Sequence, residues 1–177
     1  AIDIRLFIRH LCQLSKMKNN AAPELVLIIL NWNSAGDTIE CAESLLPQLR
    51  ATDRIMIVDN GSTDDSLERM QNRFPEIEII QNPRNLGFQG GMNVGIRRAI
   101  SLNSRWIMLL NSDTIASPTM LETLFSSMPP DADLVSPGIY YHAERDRLCS
   151  TGGQFNSILL ELTSQAKVSP TDDPVEL

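Results

Sequence analysis

The chain alternates short, wholly apolar runs with segments in which apolar residues recur at helical spacing. Leu25–Leu30 is apolar throughout and rich in Ile and Leu, which is typical of a strand buried on both faces. Further apolar runs at Arg54–Val58, Ile77–Ile80 and Trp106–Leu110 predict three more strands, and Leu134–Ser136 predicts a short fifth strand.

Helix-start signals and helical spacing fill the segments between these strands. The start signals are Asp37 with Glu40 as its capping partner, Ser62 or Thr63, and Ser117 with Pro118. The third helix is predicted at Gly90–Leu102. Strands that alternate with helices predict an α/β fold, in which a mainly parallel sheet carries helices on both faces in a Rossmann-like arrangement.

Polar residues collect where the predicted strands end. They are Asn31, Trp32 and Asn33 after the first strand, Asp59, Asn60 and Gly61 after the second, Asn82 to Asn85 after the third, and Asn111, Ser112 and Asp113 after the fourth. In sheets of this kind, ligands bind outside the carboxyl ends of the strands. The sequence therefore predicts one binding edge to which all four strand ends contribute.

The side chains at this edge have suitable chemistry for a nucleotide. Asp59 and Asn60 offer a carboxylate and an amide for a nucleoside, and Trp32 can stack on a base or close the rim of the core. A lone carboxylate such as Asp113 holds Mg²⁺ or Mn²⁺ when substrate phosphates supply the other oxygens. Turn and helix-cap chemistry is the alternative explanation for each of these polar residues.

Three glycines recur every four residues, just before and within the predicted third helix. Gly87, Gly91 and Gly95 would form a stripe without side chains on one helix face. Such a stripe permits close approach of a diphosphate, or of the sheet itself, and the sequence leaves both interpretations open.

Composition narrows the class of partner. The 177 residues, 42% of them hydrophobic, suffice for a globular domain with a core, and a net charge of −7 argues against nucleic acid. The longest apolar run is far shorter than the roughly 20 residues of a membrane span. Cys12, Cys41 and Cys149 are widely separated, which predicts buried, reduced thiols and a cytoplasmic protein.

Five ordered motifs support a resemblance to a known family. They are LVLIILNWN, IMIVDNGSTDDS, NPRNLGFQGGMNVGIRRA, WIMLLNSDT and LVSPGIYY with the later STGGQF. From about Glu24 to Gly153 the chain resembles the donor-binding half of inverting glycosyltransferases of family 2, which have the GT-A fold, and it is most similar to rhamnosyltransferase-like members.

The resemblance implies transfer of a sugar, with inversion, from a nucleotide-diphosphate sugar to an acceptor hydroxyl. The implied acceptor is a saccharide or lipid-linked saccharide in surface polysaccharide synthesis. The implied donor-binding residues are Asn31, Trp32, Asn33, Asp59, Asn60, Gly61, Gly91, Asn93, Asn111 and Ser112. Among them, Trp32 takes the place of the aromatic residue that stacks on the base.

Asp113 matches the last carboxylate of the family's DXD motif, which implies a bound Mg²⁺ or Mn²⁺. The motif reads Asn-Ser-Asp here, so its first acid is missing and metal independence stays open. The catalytic base is not assigned, because no motif supports Glu144, Asp146 or Glu161.

The predicted organisation has three parts: residues 1–22 form an amphipathic helical extension, residues 23–155 the GT-A donor-binding domain, and residues 156–177 a truncated acceptor region or polar tail. The basic helix either lies on the inner face of the membrane or packs on the domain. The chain is expected to be a piece of a longer protein. By itself, this piece is expected to bind nucleotide, to transfer sugar poorly or not at all, and to associate with itself or with a partner chain through an exposed edge.

Two other functions remain open from the sequence. Sugar-phosphate nucleotidyltransferases use a related fold, but they carry a basic glycine-rich loop after the first strand, where this chain has Asn31–Gly36 without Lys or Arg. The third possibility is a non-catalytic domain that binds a nucleotide or packs against a partner.

Overall fold

The computed structural model describes residues 22–150 together with two strands, Gly153–Asn156 and Glu161–Ser164. The chain divides into two compact units, one ending at Pro118 and the other beginning at Thr119. Each unit is considered by itself.

The first unit is built from alternating strands and helices. In chain order these are β1 Leu25–Asn31, α1 Ala35–Leu45, β2 Arg54–Asp59, α2 Ser66–Arg73, β3 Glu78–Gln81, α3 Gly87–Ser101 and β4 Trp106–Asn111. A short 3₁₀ turn, Leu46–Gln48, follows α1. The four strands pair in parallel in the order β3-β2-β1-β4, which confirms the predicted parallel sheet.

The strand order determines which face each helix covers. From β1 the chain steps outward to β2 and β3, and it then returns past β1 to form β4 on the other side. Because parallel crossovers are right-handed, α1 and α2 cover one face and α3 the opposite face. The order reverses between β1 and β4, and such a switch point opens a crevice at the carboxyl ends of the two strands.

One part of the core lies where α3 packs on β1 and β2. Val26, Ile28, Met56 and Val58 contribute alternate strand positions, and they are buried against α3 residues that include Met92. Strands buried in this way read as continuous apolar runs, which explains the sequence pattern. β4 is less protected, and Leu110 is its one fully buried residue in the described structure.

The polar residues predicted to follow the strands partly belong to them. Asn31, Asp59 and Asn111 are the last residues of β1, β2 and β4. Asn31 pairs in register with Asp59, and Leu30 pairs with Asn111. The polar edge therefore begins inside the backbone ladder, where neighbouring strands hold it in place.

The second unit contains one helix and two antiparallel strand pairs. Its elements are α4 Met120–Ser127, β5 Ile139–Tyr141, β6 Glu144–Ser150, β7 Gly153–Asn156 and β8 Glu161–Ser164, with β5 paired to β6 and β7 to β8. The strand predicted at Leu134–Ser136 is wrong. Its two apolar residues are followed by Ser136 and then Pro137, which cannot donate to a ladder, and Leu134 is 78% exposed.

All four predicted helix starts differ from the structure. α1 begins one turn early, with Ser34 at the N-cap and Asp37 in the first turn. α2 has Asp65 at its N-cap, because Ser62 is engaged with β1 and β2 instead of capping a helix. α3 begins three residues before the predicted Gly90, and α4 begins after Thr119 and not at Pro118.

The amphipathic helix predicted for residues 1–22 lies outside the described residues, apart from Ala22, as does most of the region 156–177. No helix in the described part of the chain is both long and apolar enough to cross a membrane. Cys41 is a buried free thiol, as predicted, whereas Cys149 is exposed, so the prediction of burial is wrong there. Cys149 lies on β6, a strand with a solvent-facing side.

Candidate functional site

An open cleft of about 360 Å³ lies at the switch point of the sheet. It is lined by Leu30, Ser34, Asp37, Phe88, Asn111, Ser112 and Asp113. These residues come from the ends of β1 and β4 and from the first turns of α1 and α3. The cleft therefore lies where the topology of a parallel sheet leads one to expect a ligand.

Beside the cleft, Asn31 and Asp59 form a buried polar pair. The Asn31 amide donates to Asp59 Oδ1 at 2.9 Å and to Ser62 Oγ at 3.0 Å, and Asn31 Oδ1 accepts from Thr38 Oγ1 at 2.8 Å. Asp59 also accepts from the hydroxyl and the backbone N–H of Ser62. Both side chains are completely buried, and their partners compensate the cost of desolvating them.

Asn33 joins the loops after β1 and β2. Its backbone N–H donates to Ser62 Oγ at 2.9 Å, and its Oδ1 accepts from the backbone N–H of Thr63 at 2.8 Å. Asn33 has a φ of 51°, a left-handed conformation that asparagine tolerates better than most residues. The loop that carries Trp32 is thereby fixed at both sides.

Asn60 holds the loop between β3 and α3. Its Nδ2 donates to Asn85 Oδ1 at 3.0 Å and to the carbonyl of Gly87 at 3.2 Å. Its Oδ1 accepts from Asn82 Nδ2 at 3.0 Å and from the backbone N–H of Leu86 at 3.1 Å. A primary amide has two donor hydrogens and two acceptor lone pairs, so its hydrogen-bonding capacity is used within the domain.

Two glycines allow close contacts behind this loop. Gly61 has a φ of +73°, and a Cβ added there would lie 2.4 Å from the carbonyl carbon of Arg84. A Cβ at Gly91 would lie 2.6 Å from Leu30 Cδ1 and 3.0 Å from Asn60 Cγ. Helix–sheet packing thus accounts for Gly91, as it does for Gly95 against Ile28.

The predicted donor-binding residues fall into three groups. Asn111, Ser112 and Asp113 line the cleft. Asn31, Asn33, Asp59, Asn60, Gly61 and Gly91 form the hydrogen-bonded or close-packed layer beside and behind it. Trp32, which is 54% exposed, and Asn93 are exposed and do not line the cleft. Direct donor contacts by any of them remain predictions.

Asp113 affects a buried neighbour. The pKa of Cys41 is raised to about 12, first by burial and then by the negative charge of Asp113, while a backbone hydrogen bond from Thr114 opposes the shift. The thiol also approaches the carbonyl of Asn111 at 3.7 Å. The carboxylate of Asp113 is therefore near enough to Cys41 for its charge to act on the thiol.

The cleft includes residues that the sequence analysis did not single out as ligands. Leu30 and Ser34 have no distinguishing signal, and Asp37 was interpreted only as a helix cap. Phe88 is 58% exposed at the start of α3. Its position directly after Gly87, where the segment that follows β3 enters α3, could have identified it.

The donor set of the cleft fits a hard divalent cation. Asp37, Asn111, Ser112 and Asp113 offer carboxylate, amide and hydroxyl oxygens, which Mg²⁺ and Mn²⁺ prefer. No group of three or more His, Cys, Asp or Glu side chains suitable for a metal occurs among the described residues. A cation there would need further oxygens from a ligand.

Together, the sheet and its cleft define a doubly wound α/β protein with an open cleft at the topological switch point, where proteins of this class bind ligands. The chain belongs to glycosyl transferase family 2, whose family model matches residues 26–171.

The chain is similar to several bacterial proteins. The chain is 30% identical over 130 residues to glycosyltransferase GlyG of Streptococcus pneumoniae, covering 70% of this chain and 42% of that protein. It is 30% identical over 103 residues to the succinoglycan biosynthesis protein ExoO of Rhizobium meliloti, covering 58% of this chain and 29% of that protein. The chain thus spans less than half of either relative.

Solved structures show the same fold. The mannosyltransferase PcManGT from Pyrobaculum calidifontis, in complex with GDP-Man and Mn²⁺, matches with a TM-score of 0.56 and 14% identity over 76% of this chain and 43% of that chain. TarS 1-349 from S. aureus matches with a TM-score of 0.51 and 20% identity over 58% of this chain and 31% of that chain. The predicted GT-A fold is confirmed.

Proposed function

We propose that this chain binds the donor in a glycosyltransferase that transfers a sugar, with inversion, from a nucleotide-diphosphate sugar to an acceptor hydroxyl. Membership of family 2 supports sugar transfer. The similarity to a succinoglycan biosynthesis protein supports a saccharide or lipid-linked saccharide acceptor in polysaccharide synthesis. The resemblance to rhamnosyltransferase-like members does not specify the sugar.

The observation that carries the proposal is the acidic cleft at the switch point. Asp37 and Asp113 line it, and none of the seven lining residues is Lys or Arg. A diphosphate would meet like charge there unless a cation came with it. The cleft therefore suits a diphosphate that binds together with a divalent cation, for which Asp113 is the proposed protein ligand.

Each part of the donor has a proposed place along the edge. Trp32 is exposed and available to stack on the base, and it belongs to the loop that Asn33 fixes. Asn111 and Ser112 flank Asp113 and are placed to bind oxygens of the diphosphate. Asn31, Asp59 and Asn60 act mainly by holding these loops, because their polar groups already have partners.

When bound, the cation offsets the negative charge that develops on the leaving diphosphate. The residues of the protein orient the diphosphate and hold the sugar where the acceptor hydroxyl can reach it. Inversion also requires a general base for the acceptor hydroxyl. Glu144, Asp146 and Glu161 stay unassigned candidates, since their side chains lie outside the described part of the structure.

Calorimetry of diphosphate binding tests the proposal. UDP and GDP are titrated into the chain with Mn²⁺ or with chelator, in the wild type, in Asp113→Asn, and in Glu68→Gln as a control for loss of one charge on the exposed surface of α2. We expect Mn²⁺ to tighten binding in the wild type and the control but not in Asp113→Asn. Equal wild-type affinity in Mn²⁺ and chelator would refute the metal role, and no binding would refute the donor site.

A turnover assay separates the proposal from its alternatives. Release of nucleotide from a panel of nucleotide sugars, with saccharide acceptors, is expected of a glycosyltransferase and not of a non-catalytic nucleotide-binding domain. Synthesis of a nucleotide sugar from a sugar phosphate would instead indicate a nucleotidyltransferase. Self-association, a cytoplasmic location and contact of residues 1–22 with a membrane surface remain predictions.

A further inference from the structure

The lining of the cleft at the switch point combines two kinds of side chain. Phe88 exposes an aromatic ring and Leu30 is partly exposed, whereas the remaining lining side chains present oxygens. A pyranose ring has the matching character, because its C–H bonds form apolar faces and its hydroxyls project from the rim. Ligand sites commonly combine an apolar surface with a few placed polar groups in this way.

The position of Phe88 is set before any ligand arrives. It is the second residue of α3, directly after Gly87, whose carbonyl accepts from Asn60 and whose N–H donates to Asn85 Oδ1 at 2.7 Å. Asn60 also accepts from the N–H of Leu86. A buried amide therefore anchors the turn that presents an exposed ring, and such preorganisation lowers the entropic cost of binding.

The charge of the cleft distinguishes between classes of sugar. Asp37 and Asp113 are the two charged residues of the lining. The hydroxyl of Ser34 donates to Oδ2 of Asp37, and Oδ1 does not take part in that hydrogen bond. A cation held by the diphosphate and Asp113, the proposed protein ligand, would leave the charge of Asp37 uncompensated. A carboxylate accepts hydrogen bonds from sugar hydroxyls and repels the carboxylate of a uronic acid.

We propose that this cleft is the sugar subsite of the donor, in which Phe88 lies against the sugar ring and Asp37 favours an uncharged sugar over the corresponding uronic acid. This inference rests on the proposed function, since it requires a nucleotide-sugar donor with its diphosphate at Asp113. It adds two residues, Phe88 and Asp37, and a class of sugar that neither the family nor its motif specifies.

The experiment uses donor pairs that differ by a single group. Dissociation constants are measured by calorimetry in Mn²⁺ for UDP, UDP-glucose and UDP-glucuronate, and for GDP, GDP-mannose and GDP-mannuronate. In each sugar-nucleotide pair, a hydroxymethyl group is replaced by a carboxylate. The 177-residue chain is compared as wild type, Phe88→Ala, Phe88→Leu, Asp37→Asn and Trp32→Ala, with circular dichroism to verify folding.

We expect the wild type to bind the uncharged sugar nucleotide at least about fivefold more tightly than its uronate partner, the effect of roughly 1 kcal/mol of like-charge repulsion at an exposed site. Asp37→Asn should narrow this ratio toward one. Phe88→Ala should weaken binding of the sugar nucleotides by roughly 2- to 12-fold more than binding of the free diphosphates, which is the range for an aromatic contact. The effect of Phe88→Leu should lie between those of the wild type and Phe88→Ala. Trp32→Ala should weaken binding of sugar nucleotides and free diphosphates equally.

Three results would overturn the inference. They are an unchanged uronate ratio in Asp37→Asn, an equal effect of Phe88→Ala on free diphosphate and sugar nucleotide, and a wild type that prefers uronates. In each of them, diphosphate binding and its dependence on Asp113 still support the proposed donor site. Absence of any nucleotide binding by the wild type would instead refute the proposed function and this inference together.

Discussion

Asn31 and Asp59 end adjacent strands at paired positions, and the amide of Asn31 donates to the buried carboxylate of Asp59 at 2.9 Å. The four pairs directly below them in the β1–β2 ladder, from Leu27–Ile55 to Leu30–Val58, are apolar, so the sheet changes from core to polar edge within one residue. Asn60 N–H then donates to the carbonyl of Asn31 at 2.8 Å, and Asn82 N–H donates to that of Asp59 at 2.8 Å. Three successive strand ends are thus joined into one rigid edge.

Replacing Asn31 with Ala should destabilise the fold. The change removes a donor to a buried carboxylate and the acceptor of the Thr38 hydroxyl, and hydrogen bonds to charged groups contribute about 1.5–3 kcal/mol. We expect a loss of that size in the free energy of unfolding, measured with urea. Asn93→Ala is the control, since Asn93 is exposed on α3, and an equal loss in both variants would contradict the argument.

Asn60→Asp preserves the shape of the side chain but removes two donor hydrogens. A carboxylate would then face the oxygens of Asn85 and Gly87, which now accept from Asn60. Leaving these groups unpaired should cost about 1–3 kcal/mol of unfolding free energy. Hydrogen exchange at the amides of Leu86 and Gly87 should accelerate as well. Native-like exchange there would show that Asn60 does not hold the loop.

Gly61→Ala should be far more harmful than Gly87→Ala. Both glycines have φ near +70°, where a side chain costs about 1–2 kcal/mol. A Cβ at Gly61 also overlaps the backbone of Arg84 at 2.4 Å, whereas nothing lies within 4 Å of one at Gly87. Gly36→Ala, in α1 with open space, should be neutral or stabilising. Equal unfolding free energies for the first two variants would contradict the observed contact.

The two described cysteines should react very differently. Burial and Asp113 raise the pKa of Cys41 to about 12 from the ordinary 9.0, so almost no thiolate forms at neutral pH. Cys149 is exposed. Alkylation by iodoacetamide, followed peptide by peptide with mass spectrometry, should label Cys149 long before Cys41 in the native protein. Comparable rates would show that Cys41 is accessible.

The same raised pKa predicts how stability depends on pH. The folded state holds the Cys41 proton more tightly than the unfolded state, so this contribution is complete below about pH 9 and is lost as the pH rises toward 12. In Cys41→Ser the unfolding free energy should therefore fall less steeply across that window. Parallel curves for the two proteins would contradict the shift.

Much of the fold could be predicted from the chain because its signals are local. Largely apolar runs identified the four parallel strands to within one residue at every end. The signal is clearest for β1, because a strand buried on both faces has almost no polar positions. Helix starts were less predictable. Several residues with N-cap chemistry follow each strand, and the choice among them depends on tertiary partners, as with Ser62.

The sequence by itself determined the family, the parallel α/β sheet and the polar edge to which its strand ends contribute, because periodicity and motif order are properties of the chain alone. Only the tertiary structure decided how the edge residues divide their tasks. Asn31, Asp59 and Asn60 form hydrogen bonds that hold the loops of the edge together. Phe88, Asp37 and Asp113 line the cleft instead. Residues with similar local signals differ in this way because hydrogen-bond partners and solvent access are set by segments distant in the chain.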